Sequence, residues 1–154
     1  MKIVDLGTGD GRFLMNLAKR NKEDYHIGVD LIQDDFKCGN LQFVKADATQ
    51  YFEPCDVLHI NYPWSSLLDS VFSEDFIKRL NCKTMKMTLN THQIKQVKDF
   101  DLDLFLSLYT QNQFAVVNCF QMNKFNMVPT TWGNKLIKGG NRECYYFEFS
   151  YEKQ

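Results

Sequence analysis

The chain has 154 residues, 44% of them hydrophobic, and a formal net charge of -1. That length fits a single domain over residues 1–154, and that apolar share can bury a core without staples. A near-zero charge excludes a globally basic nucleic-acid binder but leaves room for a local basic face, and no apolar run reaches membrane-spanning length.

Lys2–Leu6 is a short apolar strand that runs into Gly7-Thr8-Gly9-Asp10-Gly11. Arg12–Lys22 then has helical spacing, with Phe13, Leu14, Leu17 and Ala18 on one face and basic residues at the end that favours them. Tyr25–Val29 is a second strand, closed by Asp30, and Leu41–Lys45 a third, followed by Ala46-Asp47. The intervening Leu31–Asn40 leaves space for a short helix at most. Asp56–Asn61 reads as a fourth strand, Ser66–Leu80 as an amphipathic helix and Lys83–Leu89 as a fifth strand. Ile94–Thr110 holds one or two helical pieces. Phe114–Gln121 and Cys144–Tyr151 are the last two strands, with Thr130–Ile137 between them. Strands alternating with helices imply an α/β fold: a mostly parallel, seven-stranded, Rossmann-like sheet with an antiparallel edge and helices on both faces.

The five cysteines (Cys38, Cys55, Cys82, Cys119 and Cys144) show no metal-ligand spacing. They read as free thiols in a reducing cytoplasm, and no metal and no membrane partner are expected.

The sharpest signal is Asp5-Leu6-Gly7-Thr8-Gly9-Asp10-Gly11-Arg12, where a strand turns into a helix. This is the ligand edge of an open α/β sheet. The spacing departs from the dinucleotide fingerprint, since Arg12 stands where its third glycine belongs. Asp5 would repel a pyrophosphate but would attract the amino group of S-adenosylmethionine (SAM). Asp30 can accept hydrogen bonds from two ribose hydroxyls, and Asp47 ends the third strand where an adenine edge would lie. Three acidic strand ends thus converge on one crevice, and SAM is the expected cofactor.

Further along, the residues become more specific. Val4 through Arg12, with Tyr25-His26-Ile27-Gly28-Val29-Asp30, resembles the class I SAM-dependent 16S rRNA (adenine-N1)-methyltransferases of the Kam/Npm type, which confer aminoglycoside resistance. Tyr62-Pro63-Trp64-Ser65-Ser66-Leu67-Leu68 resembles that family's Phe-Pro-Trp-Gly-Ser/Thr-Leu-Leu. Thr130-Thr131-Trp132-Gly133-Asn134-Lys135-Leu136 resembles its Ser-x-Trp-Ala-Lys-Arg-Leu. The three blocks keep the family's order, in a shortened form that opens at the first strand and trims later connections.

The resemblance implies a cytoplasmic, monomeric rRNA methyltransferase that modifies an adenine of 16S rRNA in the 30S subunit, at ring nitrogen N1. It implies SAM contacts from Asp5, Gly7, Gly9, Gly11, Asp30, Ala46, Asp47, Asn61, Ser66 and Thr130. Trp64 and Trp132 would sandwich the adenine, with Asn61, Tyr62 and Pro63 beside it, and Lys135, Lys138 and Arg142 would meet phosphates. Flipping a base costs about a few kcal/mol, and aromatic stacking returns roughly 1–3 kcal/mol per base. A ring nitrogen carries a free lone pair, so no general base is required and positioning carries the reaction.

Asn61-Tyr62-Pro63-Trp64 is also close to the Asn-Pro-Pro-aromatic signature of enzymes that methylate exocyclic amines. That alternative stands beside the ring-nitrogen reading. So do a catalytically idle SAM-binding module and a small-molecule methyltransferase.

Overall fold

The computed structural model describes residues 1–90, 100–122, 130 and 144–152. In chain order its elements are β1 (Lys2–Leu6), α1 (Arg12–Arg20), β2 (Tyr25–Val29), β3 (Phe36–Cys38), β4 (Leu41–Val44), a 3-10 turn (Ala48–Gln50), β5 (Cys55–Asn61), α2 (Ser65–Ser70), α3 (Glu74–Arg79), β6 (Cys82–Asn90), α4 (Leu102–Thr110), β7 (Phe114–Met122) and β8 (Cys144–Tyr151).

The strands form one sheet in the order β3-β4-β2-β1-β5-β6-β8-β7. Its centre is parallel, from β4 through β2, β1 and β5 to β6. Both edges are antiparallel. The chain works outward from β1 through β2 to β4, then returns to place β5 on β1's other side. This reversal opens a crevice at the carboxyl ends of β1 and β5, the place where open α/β sheets bind ligands.

The sheet has eight strands where seven were expected. The additional one is β3, which pairs with β4 as a hairpin in place of the short helix allowed for that stretch. Gly39, at φ 59, and Asn40 form its two-residue loop, and Gly-Asn is a turn pair that supplies such backbone readily. The segment expected as one helix over Ser66–Leu80 is two short helices, α2 and α3, divided around Val71–Ser73. Ser73 precedes Glu74 and Asp75, which occupy the first turn of α3, while Lys78 and Arg79 fill its last turn. Charges of those signs suit the two ends of a helix dipole and mark a fresh start.

Side chains alternate across the sheet and divide the interior. Val4, Leu6, Val29, Ile60, Met85, Met87, Phe147 and Phe149 join Leu67, Leu68, Phe76, Ile77, Phe105 and Tyr109 of the three later helices in one core. Tyr109 stacks on Phe149 with centroids 4.7 Å apart, and its hydroxyl donates to the Val71 carbonyl at 2.8 Å, so the polar atom carries no desolvation penalty. α1 covers the opposite face above Gly28, where Leu14 and the Phe43 ring fill the space a side chain would take. Among the described residues no helix is long and apolar enough to cross a membrane.

Candidate functional site

The glycine-rich turn after β1 is tied to the end of β2 by a set of short hydrogen bonds. The Val29 carbonyl accepts from the amides of Gly7 (2.8 Å) and Thr8 (3.2 Å). The Gly9 amide donates to Asp30 Oδ2 at 2.9 Å, and Gln33 Nε2 donates to the Gly9 carbonyl at 2.7 Å. Gly9 has φ 60, and an added Cβ would meet no heavy atom within 4 Å. Its half-buried backbone, open on the Cβ side, can therefore lie directly against a ligand. Gly11 differs. It precedes α1 at φ 79, and an added Cβ would run into the Phe43 ring.

Beneath this turn lies Asp5, 3% exposed. Burial pushes its carboxyl up from 3.8 to about 7; the Thr8 hydroxyl opposes this and the Asp30 charge adds to it. No cation among the described residues pairs with Asp5. His59 stands beside it in register, but burial, and then the charges of Lys86 and His26, push that imidazole down to about 4. At neutral pH His59 is uncharged and gives Asp5 no counter-ion. The site thus holds a buried carboxylate poised to take up a cationic group.

Asp30 is more committed: Oδ2 accepts from Gly9 and Oδ1 from the Ile32 amide at 3.1 Å. Each carboxylate oxygen keeps a second lone pair for a hydroxyl. Asp47 caps the 3-10 turn, Oδ1 accepting from the Thr49 amide (2.9 Å) and hydroxyl (2.7 Å).

The other wall rises from the end of β5. Tyr62 and Ser65 both have positive φ, 47 and 57. Non-glycine residues in that region cost about 1–3 kcal/mol each, and such strain collects at functional sites. The Tyr62 amide donates to both the carbonyl and the Oγ1 of Thr88, each at 3.0 Å. The Tyr62 ring packs inward against Met122, Cys144 and Tyr146. Between the two strained residues Trp64 stands outward, 65% exposed.

These walls enclose a cleft of about 440 Å³, within the range of small-molecule sites. Asp5, Gly7, Gly9, Asp30, Asp47, Asn61, Tyr62, Pro63, Trp64, Ser66 and Thr130 all line it. Gly11 and Ala46 do not: Gly11 packs on Phe43, and Ala46 packs against the core. Trp132, Lys135, Lys138 and Arg142 lie outside the described residues, as do most of the expected 130–137 helical piece and the first part of the 94–110 one. The lining also includes Thr8, Phe13, Leu31, Ile32, Ala48 and Thr49, which the sequence reading did not select. One signal was available, the apolar pair Leu31-Ile32 directly after Asp30. These two side chains are 59% and 75% exposed, as an open apolar shelf would be.

No protein-family model and no curated protein matches the chain. Solved structures do. The crystal structure of 16S rRNA methyltransferase KamB superposes with a TM-score of 0.85 at 18% identity, covering 99% of this chain and 88% of that one. The aminoglycoside resistance methyltransferase NpmB1 gives 0.75 at 20% identity, covering 97% and 86%. A mutant of the 16S rRNA (adenine(1408)-N(1))-methyltransferase from Catenulisporales acidiphilia, solved with cosubstrate SAM, gives 0.75 at 15% identity, covering 99% and 86%. At these identities the likeness establishes the fold, the one those three structures share, over nearly the whole chain.

Proposed function

We propose that this chain, sharing the fold of 16S rRNA methyltransferases, transfers a methyl group from SAM to a ring nitrogen of an adenine in structured RNA, with 16S rRNA in the 30S subunit as the first target. The observation that carries this reading is the pairing of a buried, unbalanced carboxylate at Asp5 with an exposed indole at Trp64 on opposite walls of one cleft. A cation-bearing donor and a flat aromatic acceptor are the ligands those two groups suit. The resemblance of three sequence blocks to the Kam/Npm enzymes supports it.

The residues present fit the donor. Asp5 would hold the α-amino group, the open Gly9 backbone would lie along the methionine portion, and Asp30 would accept from the ribose hydroxyls. Leu31, Ile32 and the Asp47–Thr49 turn would flank the adenine ring. SAM supplies a sulfonium-bound methyl group that a lone pair can displace.

The protein's part is to bring that lone pair into line. Trp64 offers a face on which a flipped base can stack, recovering roughly 1–3 kcal/mol of the unstacking cost. Trp132, with Lys135, Lys138 and Arg142, would complete the substrate side as the family resemblance implies. Ser66 and Thr130, at the cleft wall, would fix the donor's reactive end. A ring nitrogen needs no base, so orientation and exclusion of water carry the acceleration.

Methyl transfer from radiolabelled SAM to purified 30S subunits and to total RNA tests this. Incorporation into an adenine, located by nucleoside mass spectrometry, is the expected result. Folded protein that binds donor yet labels neither RNA refutes the RNA assignment.

A further inference from the structure

The loop that follows β2 reaches back to one glycine from both sides. The amide of Gly9 donates to Asp30 Oδ2 at 2.9 Å, and its carbonyl accepts from Gln33 Nε2 at 2.7 Å. The backbone settles the direction of both bonds, because an amide N–H only donates and a carbonyl only accepts. Gln33 must therefore present its nitrogen, since its oxygen would face another oxygen. A third bond, from the Ile32 amide to Asp30 Oδ1 at 3.1 Å, folds the loop onto the same carboxylate. Together they close a ring of bonds between segments 24 positions apart.

Gly9 needs such holding. It sits at φ 60, and an added Cβ would meet no heavy atom within 4 Å, so no packing restrains it on that side. Glycine also has the widest choice of backbone conformations. Gly7 and Thr8 are fastened by their own amides to the Val29 carbonyl, whereas Gly9 depends on side chains. The Asp30 and Gln33 bonds fix the peptide planes on either side of its Cα. A trans peptide aims its C=O and N–H in opposite directions. Holding the Gly9 carbonyl toward Gln33 thus also sets where the amide of Asp10, a residue of the cleft wall, is aimed.

The two segments serve different halves of the donor as assigned above. Asp30, Leu31 and Ile32 belong to the adenosine, and Gly9, above the buried Asp5, to the methionine portion. Gln33 starts on the first segment and ends on the second. It does not itself line the cleft, so its influence on a ligand passes through Gly9.

We propose that Gln33 is a positioning residue that couples the two halves of the donor site, holding the Gly9 backbone in the orientation that the amino-acid end of the donor requires. The proposal rests on the reading of the cleft as a SAM site and adds how its adenosine seat and its amino-acid seat act together.

The test uses two probes that share the adenosine and differ at the other end. S-adenosylhomocysteine carries the amino acid; 5′-methylthioadenosine carries only a methyl group on the same sulfur. Calorimetry, by displacement for the weaker probe, gives both dissociation constants for wild type, Gln33→Ala and Gln33→Met. Gln33→Met keeps most of the length and removes the N–H. Both variants should bind S-adenosylhomocysteine about three- to tenfold more weakly, the net worth of one neutral hydrogen bond, and 5′-methylthioadenosine within about twofold of wild type. A general loosening of the loop would weaken both probes alike and leave their ratio unmoved. That result, or unchanged affinity for both probes, in either folded variant overturns the proposal. So does a wild type that holds the two probes equally, because it has no amino-acid seat to align. A wild type that binds neither probe overturns the donor reading and this one with it. Binding of both by wild type, with a ratio that the variants do not move, overturns only the part given to Gln33.

Discussion

Replacing Asp5 by Asn separates the cost of a buried charge from its use. In the folded chain this carboxyl titrates near 7, against 3.8 when unconstrained. An acid whose folded value is raised opposes folding once it ionises. The penalty is absent below about pH 4, grows as pH rises toward 7, and is complete above it. At roughly 1.4 kcal/mol per unit the full penalty is about 4 kcal/mol, and about 2–3 kcal/mol of it develops between pH 5 and pH 8. Asp5→Asn removes the pH-dependent part. Its melting temperature should gain on wild type by about 5–10 °C more at pH 8 than at pH 5. Donor binding should show the reverse benefit. Wild-type affinity for S-adenosylhomocysteine should rise up to about tenfold per unit between pH 5.5 and 7, then level off, because the ammonium requires the ionised form. Calorimetry in buffers of different ionisation enthalpy should find about 0.9 proton released on binding at pH 6 and about 0.1 at pH 8. Asp5→Asn should bind weakly, with a flat profile and no proton release. Equal affinity at pH 5.5 and 7.5 in wild type, with no buffer dependence, would refute the assignment of Asp5 to a cation.

Trp64→Ala should lower methyl transfer to 30S subunits by about 5- to 150-fold, the loss of roughly 1–3 kcal/mol of stacking, while affinity for S-adenosylhomocysteine stays within threefold; equal losses in both would contradict a stacking role. Gly11→Ala should lower thermal stability by several degrees, since the Phe43 ring must give way, whereas Gly9→Ala should mainly weaken donor binding, and a comparison of melting curves with titrations separates the two. Gln33→Ala should weaken donor binding by about three- to tenfold through loss of the 2.7 Å bond that holds the Gly9 carbonyl, with little change in melting temperature.

The parts of the fold that could be read directly are those whose pattern is local. Lys2–Leu6, Tyr25–Val29 and Cys144–Tyr151 have the bounds that their apolar runs indicate, because strands buried at the sheet centre or packed on an aromatic core tolerate little else. The convergence of Asp5, Asp30 and Asp47 on one edge followed from strand order alone. The misses have physical causes. The Gly39-Asn40 hairpin is hard to read because Asp34-Asp35 and Lys37 hide the apolar signal of so short a strand. Ser73-Glu74-Asp75 is a helix start placed inside what reads as one continuous amphipathic run. The positive φ of Tyr62 and Ser65 is announced by neither residue type; at Tyr62 it accompanies an amide held by Thr88 of β6, a contact that is distant in sequence. Gln33 acts through a bond to a backbone carbonyl 24 positions away, which no local pattern encodes.

The reversal of strand order at β1 has a consequence for how such a site can diversify. Everything assigned to the donor comes early in the chain, up to Thr49, apart from Asn61, Ser66 and Thr130. On the proposed reading, the surface offered to the acceptor begins only at the end of β5, with Asn61. The two contributions meet along a single seam where Asp5 and His59 run side by side. If the chain acts as proposed, changes of target can accumulate on one bank of that seam while the other continues to make most of the contacts to the same methyl source, which would make the strand crossing a boundary between what is kept and what is free to vary.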